Sequence, residues 1–176
     1  MVKIAPSLLS ADFNNLKVEM NAVVDAGAEL IHLDVMDGVF APNITFGAAV
    51  IASLDKPEGV EFDAHLMISE VEANLNSFLK LPIDRIAIHA ESTIHLQRAL
   101  QLIRDGGAKP AVAINPSTSL SMVEWILDDV DMIVVMTVNP GFSGQKFIGN
   151  MLPKIDFLKE NSCSDAAFYM INVETC

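Results

Sequence analysis

Basic residues are scarce in this chain: 11 Lys and Arg stand against 23 Asp and Glu, for a formal net charge of -12. A nucleic acid or an anionic membrane would meet repulsion, so neither is expected as a partner. A small anion is not excluded, because backbone N–H groups can hold a phosphate locally whatever the net charge. Cysteine is nearly absent. Cys163 and Cys176 are too few and too late to staple a fold, and no Cys-Cys metal spacing exists, which points to a reducing cytoplasm. Long apolar runs are missing too: Met132-Ile133-Val134-Val135-Met136 is far too short to span a bilayer, and Met1–Pro6 has no basic region followed by an apolar one. The expectation is a soluble, unexported protein. No linker, low-complexity tract or charge run divides the chain, and the segment Ser7–Asp12 lacks the Gly-rich dinucleotide fingerprint.

What is present is apolar. A hydrophobic fraction of 51% with 19% charged residues supports one large core, in a single domain covering residues 1–176. Short β-branched or apolar runs recur about every 25 residues, roughly the length of one strand, one helix and their loops. Strands are expected near Lys3–Leu8, Leu30–Val35, Phe62–Met67, Arg85–His89, Pro110–Ile114, Met132–Thr137 and Ala167–Val173. Helices are expected at Asp12–Ala26, Gly47–Leu54, Val71–Leu81, Thr93–Asp105, Ser119–Asp128 and Asn150–Glu160, with Asp-Gly-Gly at 105–107 as a stop. In the first of these, Phe13, Leu16, Met20, Val23 and Val24 make one stripe, which must cover a sheet. Regular β-α alternation implies a parallel sheet, open or closed as an eight-stranded barrel. Polar residues at the C-terminal ends of several runs favour the barrel, whose enzymes assemble their sites on that face. Seven strands are one short of closure, so the barrel reading requires an eighth that is missing.

Along Ile31–Gly38, strand alternation puts His32, Asp34 and Met36 on one face and Leu33 and Val35 on the other. His65 and Met67 repeat the arrangement on the next run. Two His and one Asp would leave open positions on a divalent ion, as metal-assisted chemistry requires. Each residue also has a plainer role, since a strand His is commonly a hydrogen-bonded core residue and an Asp after a strand a cap. Spacing alone leaves both open. The segment Val138–Phe147, with Gly141 and Gly144, follows a strand and could present successive N–H groups as a nest for phosphate, or form an ordinary Pro-Gly turn.

Two long segments, Leu33-Asp34-Val35-Met36-Asp37-Gly38-Val39-Phe40-Ala41-Pro42-Asn43 and Val135-Met136-Thr137-Val138-Asn139-Pro140-Gly141-Phe142-Ser143-Gly144-Gln145, resemble the signature segments of the ribulose-phosphate 3-epimerase family. Ala5–Phe13 and Asp63–Met67 add support, and the resemblance runs in order from Lys3 to about Leu158. It implies a ribulose-phosphate-binding (β/α)8 TIM barrel, here with about six to seven β/α units. The implied function is that of a cytoplasmic isomerase, a homo-oligomer, which interconverts D-ribulose 5-phosphate and D-xylulose 5-phosphate at C3. It also implies that His32, Asp34 and His65 bind a divalent metal, zinc or iron before manganese or cobalt, with His65 also at the substrate. Asp34 would exchange the C3 proton on one face, Ser7 would contact the phosphorylated ketose, and Met36, Met67 and Met136 would surround the reacting carbons. Gly141, Phe142, Ser143 and Gly144 would hold the phosphate through the backbone. Inversion needs an acid/base on each face.

The family's second carboxylate comes from a Val-Asp-Gly-Gly segment, and here that region reads Phe168-Tyr169-Met170-Ile171-Asn172-Val173-Glu174-Thr175-Cys176. By spacing, Glu174 takes the Asp position as a stand-in acid/base, without the Gly pair. By the match of Ile171–Thr175 to an Ile-Asn-x-Glu-Thr segment, the strand bearing the Asp is deleted. Either way the resemblance is to a C-terminally truncated or altered member, expected to show little or no epimerase activity. Two other readings stay open: an allulose-6-phosphate 3-epimerase, which Ser7–Phe13 disfavours, and an inactive relative acting through oligomerisation.

Overall fold

The computed structural model describes residues 3–161 and the backbone of a last strand at Ala167–Ile171. Six strands form one sheet in chain order, every neighbouring pair parallel: β1 (Leu30–Met36), β2 (Glu61–Met67), β3 (Arg85–His89), β4 (Lys109–Ile114), β5 (Met132–Met136) and β6 (Ala167–Ile171). Parallel neighbours need crossover connections. Helix α1 (Leu16–Asp25) precedes β1, and α2 (Ala48–Ser53), α3 (Val71–Phe78), α4 (Leu96–Asp105) and α5 (Leu152–Asn161) cross between later strands. Helices α1 and α4 end alike. Gly27 and Gly107 take positive φ, of 103° and 89°, and the N–H of Ala28 and Ala108 reach back to Val23 and Ile103. Those are Schellman stops, so the expected role of Asp-Gly-Gly is met.

The sheet is curled. Strands β1 and β5 lie four places apart, about 19 Å in a flat sheet at ~4.8 Å per strand. Yet the Asn43 side chain, just after β1, donates to the carbonyl of Gly141, just after β5, at 3.2 Å. This is the plan of a (β/α)8 barrel, incomplete in the described residues. Alternation along the strands then creates two apolar layers. Leu33, Val35, Leu66, Ile86, Ile88 and Val135 face outward onto Met20, Ile51, Leu75, Leu100 and Ile155 of the helices. Ala87, Ala111, Ala113, Met132, Val134 and Met136 face inward.

Two expected elements differ. Lys3–Leu8 is not a strand but an extended segment joined to β1 at a single bridge, Ser7 to His32, with the His32 N–H donating to the Pro6 carbonyl at 2.9 Å. Pro6 has no N–H to continue a ladder, and the Ser7 hydroxyl accepts from the Leu9 N–H at 3.1 Å, turning the chain into a 3-10 turn at Leu8–Ser10. Ser119–Asp128 is not an α-helix but two 3-10 turns, Leu120–Met122 and Leu127–Asp129. Adjacent Asp128 and Asp129 would sit at the negative end of a helix there, and Val123 and Ile126 reach the core without one. In the first helical stretch, Met20 is fully buried as expected while Phe13 stays 47% exposed, because Phe13 lies in a 3-10 turn before α1 begins.

Ile88 sits fully buried in the sheet-helix layer. Ile88→Ala is expected to lower unfolding stability by about 2–5 kcal/mol, read from denaturant titration.

Candidate active site

Parallel register brings the polar residues together. Asp34 stands opposite His65 and Met36 opposite Met67, while His32 stands opposite Asp63. Because side chains alternate, all six point to the inner face, toward the C-terminal ends of the strands. His32, Asp34 and His65 are buried, and one potential ligand atom from each falls within 4.8 Å of the others. Asp34 is the hub: Oδ2 accepts from the Ser7 hydroxyl at 2.5 Å, and Oδ1 lies 3.2 Å from His65 Nδ1 and 3.3 Å from His32 Nε2.

The distal nitrogens are also held. His32 Nδ1 lies 2.8 Å from the fully buried Asp63 carboxylate, and His65 Nε2 lies 2.8 Å from His89 Nε2. His89 Nδ1 in turn meets Glu91 Oε2 at 3.1 Å. Burial works against charge at all of these positions. It would lower the His32 imidazole, but the carboxylates of Asp34 and Asp63 on either side outweigh it and push His32 up to about 10. Burial would likewise raise Asp34, but His32 and His65 hold it well below the usual carboxylate range. His89 is the contrast: burial dominates over the attraction of Glu91, taking it down to about 4. Glu91 falls to about 2, against burial, because it accepts from His89, Thr118 and the Asn115 N–H.

Above this floor, one pocket is lined by Ser7, Asp34, Met36, Met67 and Met136 together with Val138–Ser143. The structure thus joins Ser7, the methionines and Gly141, Phe142 and Ser143 around Asp34, with His32 and His65 beneath. Gly144 follows at φ 72°. Gly141 adopts φ 132°, and a Cβ on it would come within 3.0 Å of Pro42 Cδ, so a side chain there would close the approach between the two loops. Loop carbonyls are pinned by side-chain amides: Gln145 donates to Asn139 and Phe142, and Asn43 to Gly141. Asp37 ties the mouth, accepting from the N–H groups of Val39, Phe40 and Ser69. Glu174 lies outside the described residues.

The donor set suits a divalent cation. Two imidazoles and a carboxylate converge, and His32 Nε2 is buried with no hydrogen-bond partner among the described residues although it faces the Asp34 carboxylate. Sequence reading missed Asp63, His89 and Glu91. A signal existed: three successive strands each carry a His and an acid two residues apart, as His32/Asp34, Asp63/His65 and His89/Glu91, the last acid just past β3.

A curled parallel β/α sheet whose imidazoles and carboxylate converge near its C-terminal mouth defines a barrel enzyme for a small ligand. Residues 3–175 match the model of the ribulose-phosphate 3 epimerase family, so the chain belongs to that family of isomerases. It is 46% identical over 159 residues to the ribulose-phosphate 3-epimerase of Bacillus subtilis, covering 90% of this chain and 73% of that one. The ribulose-phosphate 3-epimerase of Methanocaldococcus jannaschii is 42% identical over 181 residues, covering 99% and 76%. The chloroplastic ribulose-5-phosphate-3-epimerase of Arabidopsis thaliana is 45% identical over 159 residues, covering 89% and 57%. The tryptophan synthase subunit alpha of Legionella pneumophila overlaps with a TM-score of 0.49 at 11% identity, over 94% of this chain and 78% of that one. No helix among the described residues is long and apolar enough to cross a membrane.

If His65 is a ligand, His65→Ala should weaken binding of a divalent cation by about tenfold or more. Metal titration with elemental analysis measures this, and unchanged stoichiometry and affinity would remove His65 from the site.

Proposed function

We propose that this chain binds a phosphorylated ketose and exchanges its C3 proton at Asp34, one half of the interconversion of D-ribulose 5-phosphate and D-xylulose 5-phosphate, with little or no net epimerisation. The carrying observation is the buried His32, Asp34 and His65 group at the floor of a pocket whose rim is the Asn139–Ser143 loop. A divalent cation, zinc or iron, would be held by those three side chains and would polarise the ketose carbonyl, making the adjacent C3 proton more acidic. Asp34 is the acid/base on one face. Its Oδ2 is oriented by the Ser7 hydroxyl, which also lines the pocket as a substrate contact. Met36, Met67 and Met136 exclude water from the reacting carbons with soft, adaptable side chains. The backbone of Gly141, Phe142, Ser143 and Gly144 is the phosphate cradle, an assignment consistent with the shortage of basic side chains and with the pinned loop carbonyls. The family relationship and the two cysteines agree with a homo-oligomeric cytoplasmic enzyme. Glu174 is the proposed stand-in for the acid/base of the opposite face.

Solvent deuterium incorporation at C3 of ribulose 5-phosphate, followed alongside xylulose 5-phosphate formation, tests the assignment. Exchange is expected in the unaltered chain and should fall by about 10²–10⁴ in Asp34→Asn. Exchange that survives that substitution would move the base elsewhere, and exchange without product would show that only Asp34's face is served.

For the phosphate, Gly144→Val should raise KM for the phosphorylated sugar. It sets a branched side chain on a backbone at φ 72° at the end of the cradle. An unaltered KM would place the phosphate elsewhere.

A further inference from the structure

Nothing in the proposed chemistry uses His89 or Glu91, yet both are built into the layer beside the metal-type group. His89 is fully buried at the end of β3, between the His65 ring and the Phe40 ring, whose centroids lie 4.9 and 4.5 Å away. Its relation to His65 is not a face-to-face stack. With the two Nε2 atoms 2.8 Å apart, a centroid separation of 4.9 Å and an interplanar angle of 22° require the rings to point at each other nearly in plane. That is an end-to-end hydrogen bond, and it holds one proton.

Which ring owns the proton follows from Glu91. A carboxylate only accepts, so its contact at 3.1 Å places a proton on His89 Nδ1. Glu91 is itself committed as an acceptor, since Oε1 takes the Asn115 N–H at 2.9 Å and the Thr118 hydroxyl. The turn carrying Asn115 and Thr118 is fixed in its turn by Lys154 of α5, which donates to the carbonyls of Asn115, Pro116 and Thr118. A neutral His89 protonated at Nδ1 offers a lone pair at Nε2, and that lone pair must accept from His65 Nε2–H. By the same rule the 3.2 Å contact of His65 Nδ1 with Asp34 Oδ1 carries a proton while no cation lies between them. A cation that displaces this proton meets the Nδ1 lone pair, because Nε2–H is committed to His89.

We infer that His89 and Glu91 are a positioning relay: Glu91 fixes the tautomer of His89, and His89 fixes His65 with its proton on Nε2 and its lone pair on Nδ1 aimed at the cation. The relay makes the two ligand imidazoles non-equivalent. His32, whose Nδ1 is held by Asp63, presents Nε2, whereas His65 presents Nδ1. Opposite nitrogens have a geometric reason. His32 and His65 lie on adjacent strands two residues apart in register, since Asp34 and not His32 is the partner of His65. One imidazole must therefore reach up the barrel and the other across it to meet at one point. The inference rests on the metal reading of the proposed function and extends it to residues that touch neither metal nor sugar.

The test uses zinc and the 176-residue chain. In the zinc-loaded protein, long-range proton–nitrogen NMR of the histidine rings should show His65 coordinated through Nδ1 with a slowly exchanging Nε2–H, and His89 protonated at Nδ1. Competition titration should give a zinc affinity lowered by about tenfold to a hundredfold in His89→Phe. His89→Gln, which restores an acceptor, should recover part of that loss. Glu91→Gln, which no longer dictates the His89 tautomer, should weaken zinc and remove the Nε2–H signal. His65 coordinated through Nε2 overturns the inference without any variant, and so does wild-type zinc affinity in a folded His89→Phe. An unaltered chain that takes up no zinc would sink the metal reading together with this one, whereas the other two outcomes sink the relay alone.

Discussion

The parallel register that sets Asp34 beside His65 is the constraint on which the site depends. Shifting that pairing by one residue would turn the polar set toward the helices and the apolar set inward, because side chains alternate with period two. Register is held by the outward layer, where Leu33, Val35, Leu66, Ile86 and Ile88 are buried in one apolar cluster with the helices, and a polar side chain turned into it would carry an uncompensated burial cost. The fold therefore secures its chemistry indirectly: the apolar face fixes the strands, and the strands fix the acids and imidazoles on the other side.

Burying that polar set is unfavourable unless each member is partnered. Partners are supplied in order down the barrel. Asp34 and His65 occupy one level. Asp63 and Arg85 sit a step below, with Arg85 Nη1 at 3.9 Å from Asp63 Oδ1 and Nη2 at 3.2 Å from Glu61 Oε2. Lys109 then reaches Glu61 at 3.1 Å, at an exposed position. Charge thus runs from the dry floor of the site to water at the opposite end, with alternating sign. Losing Asp63 would leave His32 Nδ1 without its carboxylate and would remove one of the two acids beside the buried Arg85 guanidinium, so its role is as much electrostatic as orienting.

How far the sequence disclosed this arrangement depends on which signals are local. Strand faces were legible, since His32, Asp34, Met36, His65 and Met67 fall inward as alternation required. Six strands were placed within a residue or two, as were the helix stops at glycine. What failed were elements decided by a few competing bonds: Pro6 denied a ladder to the first run, and the paired acids at Asp128 and Asp129 denied a helix to the segment before β5. His89 and Glu91 escaped for another reason. A single His at a strand end reads as a core residue, and only the register that sets β3 beside β2 shows that it meets His65. The identity of the family was legible in its two long segments. The partners of each imidazole were not, because they are contacts between strands rather than patterns along one.

The acidic balance of the chain also takes on a meaning that composition alone could not give. A phosphate approaching a protein of net charge -12 meets long-range repulsion, which screening confines to about 8 Å at physiological salt. Binding must then rely on short-range, directional donors. Such donors help only if the loop's own carbonyls are turned away from the anion. That is what Gln145 and Asn43 accomplish by drawing the carbonyls of Asn139, Gly141 and Phe142 into hydrogen bonds. The Asn43 bond also crosses between the loops after β1 and β5, so the loop proposed as the phosphate cradle and the turn that follows Asp34 are mechanically one unit. A ligand that orders the loop at one end would thereby constrain Asp34, the proposed acid/base, at the other, and remote binding energy would then help set the geometry at the reacting carbon.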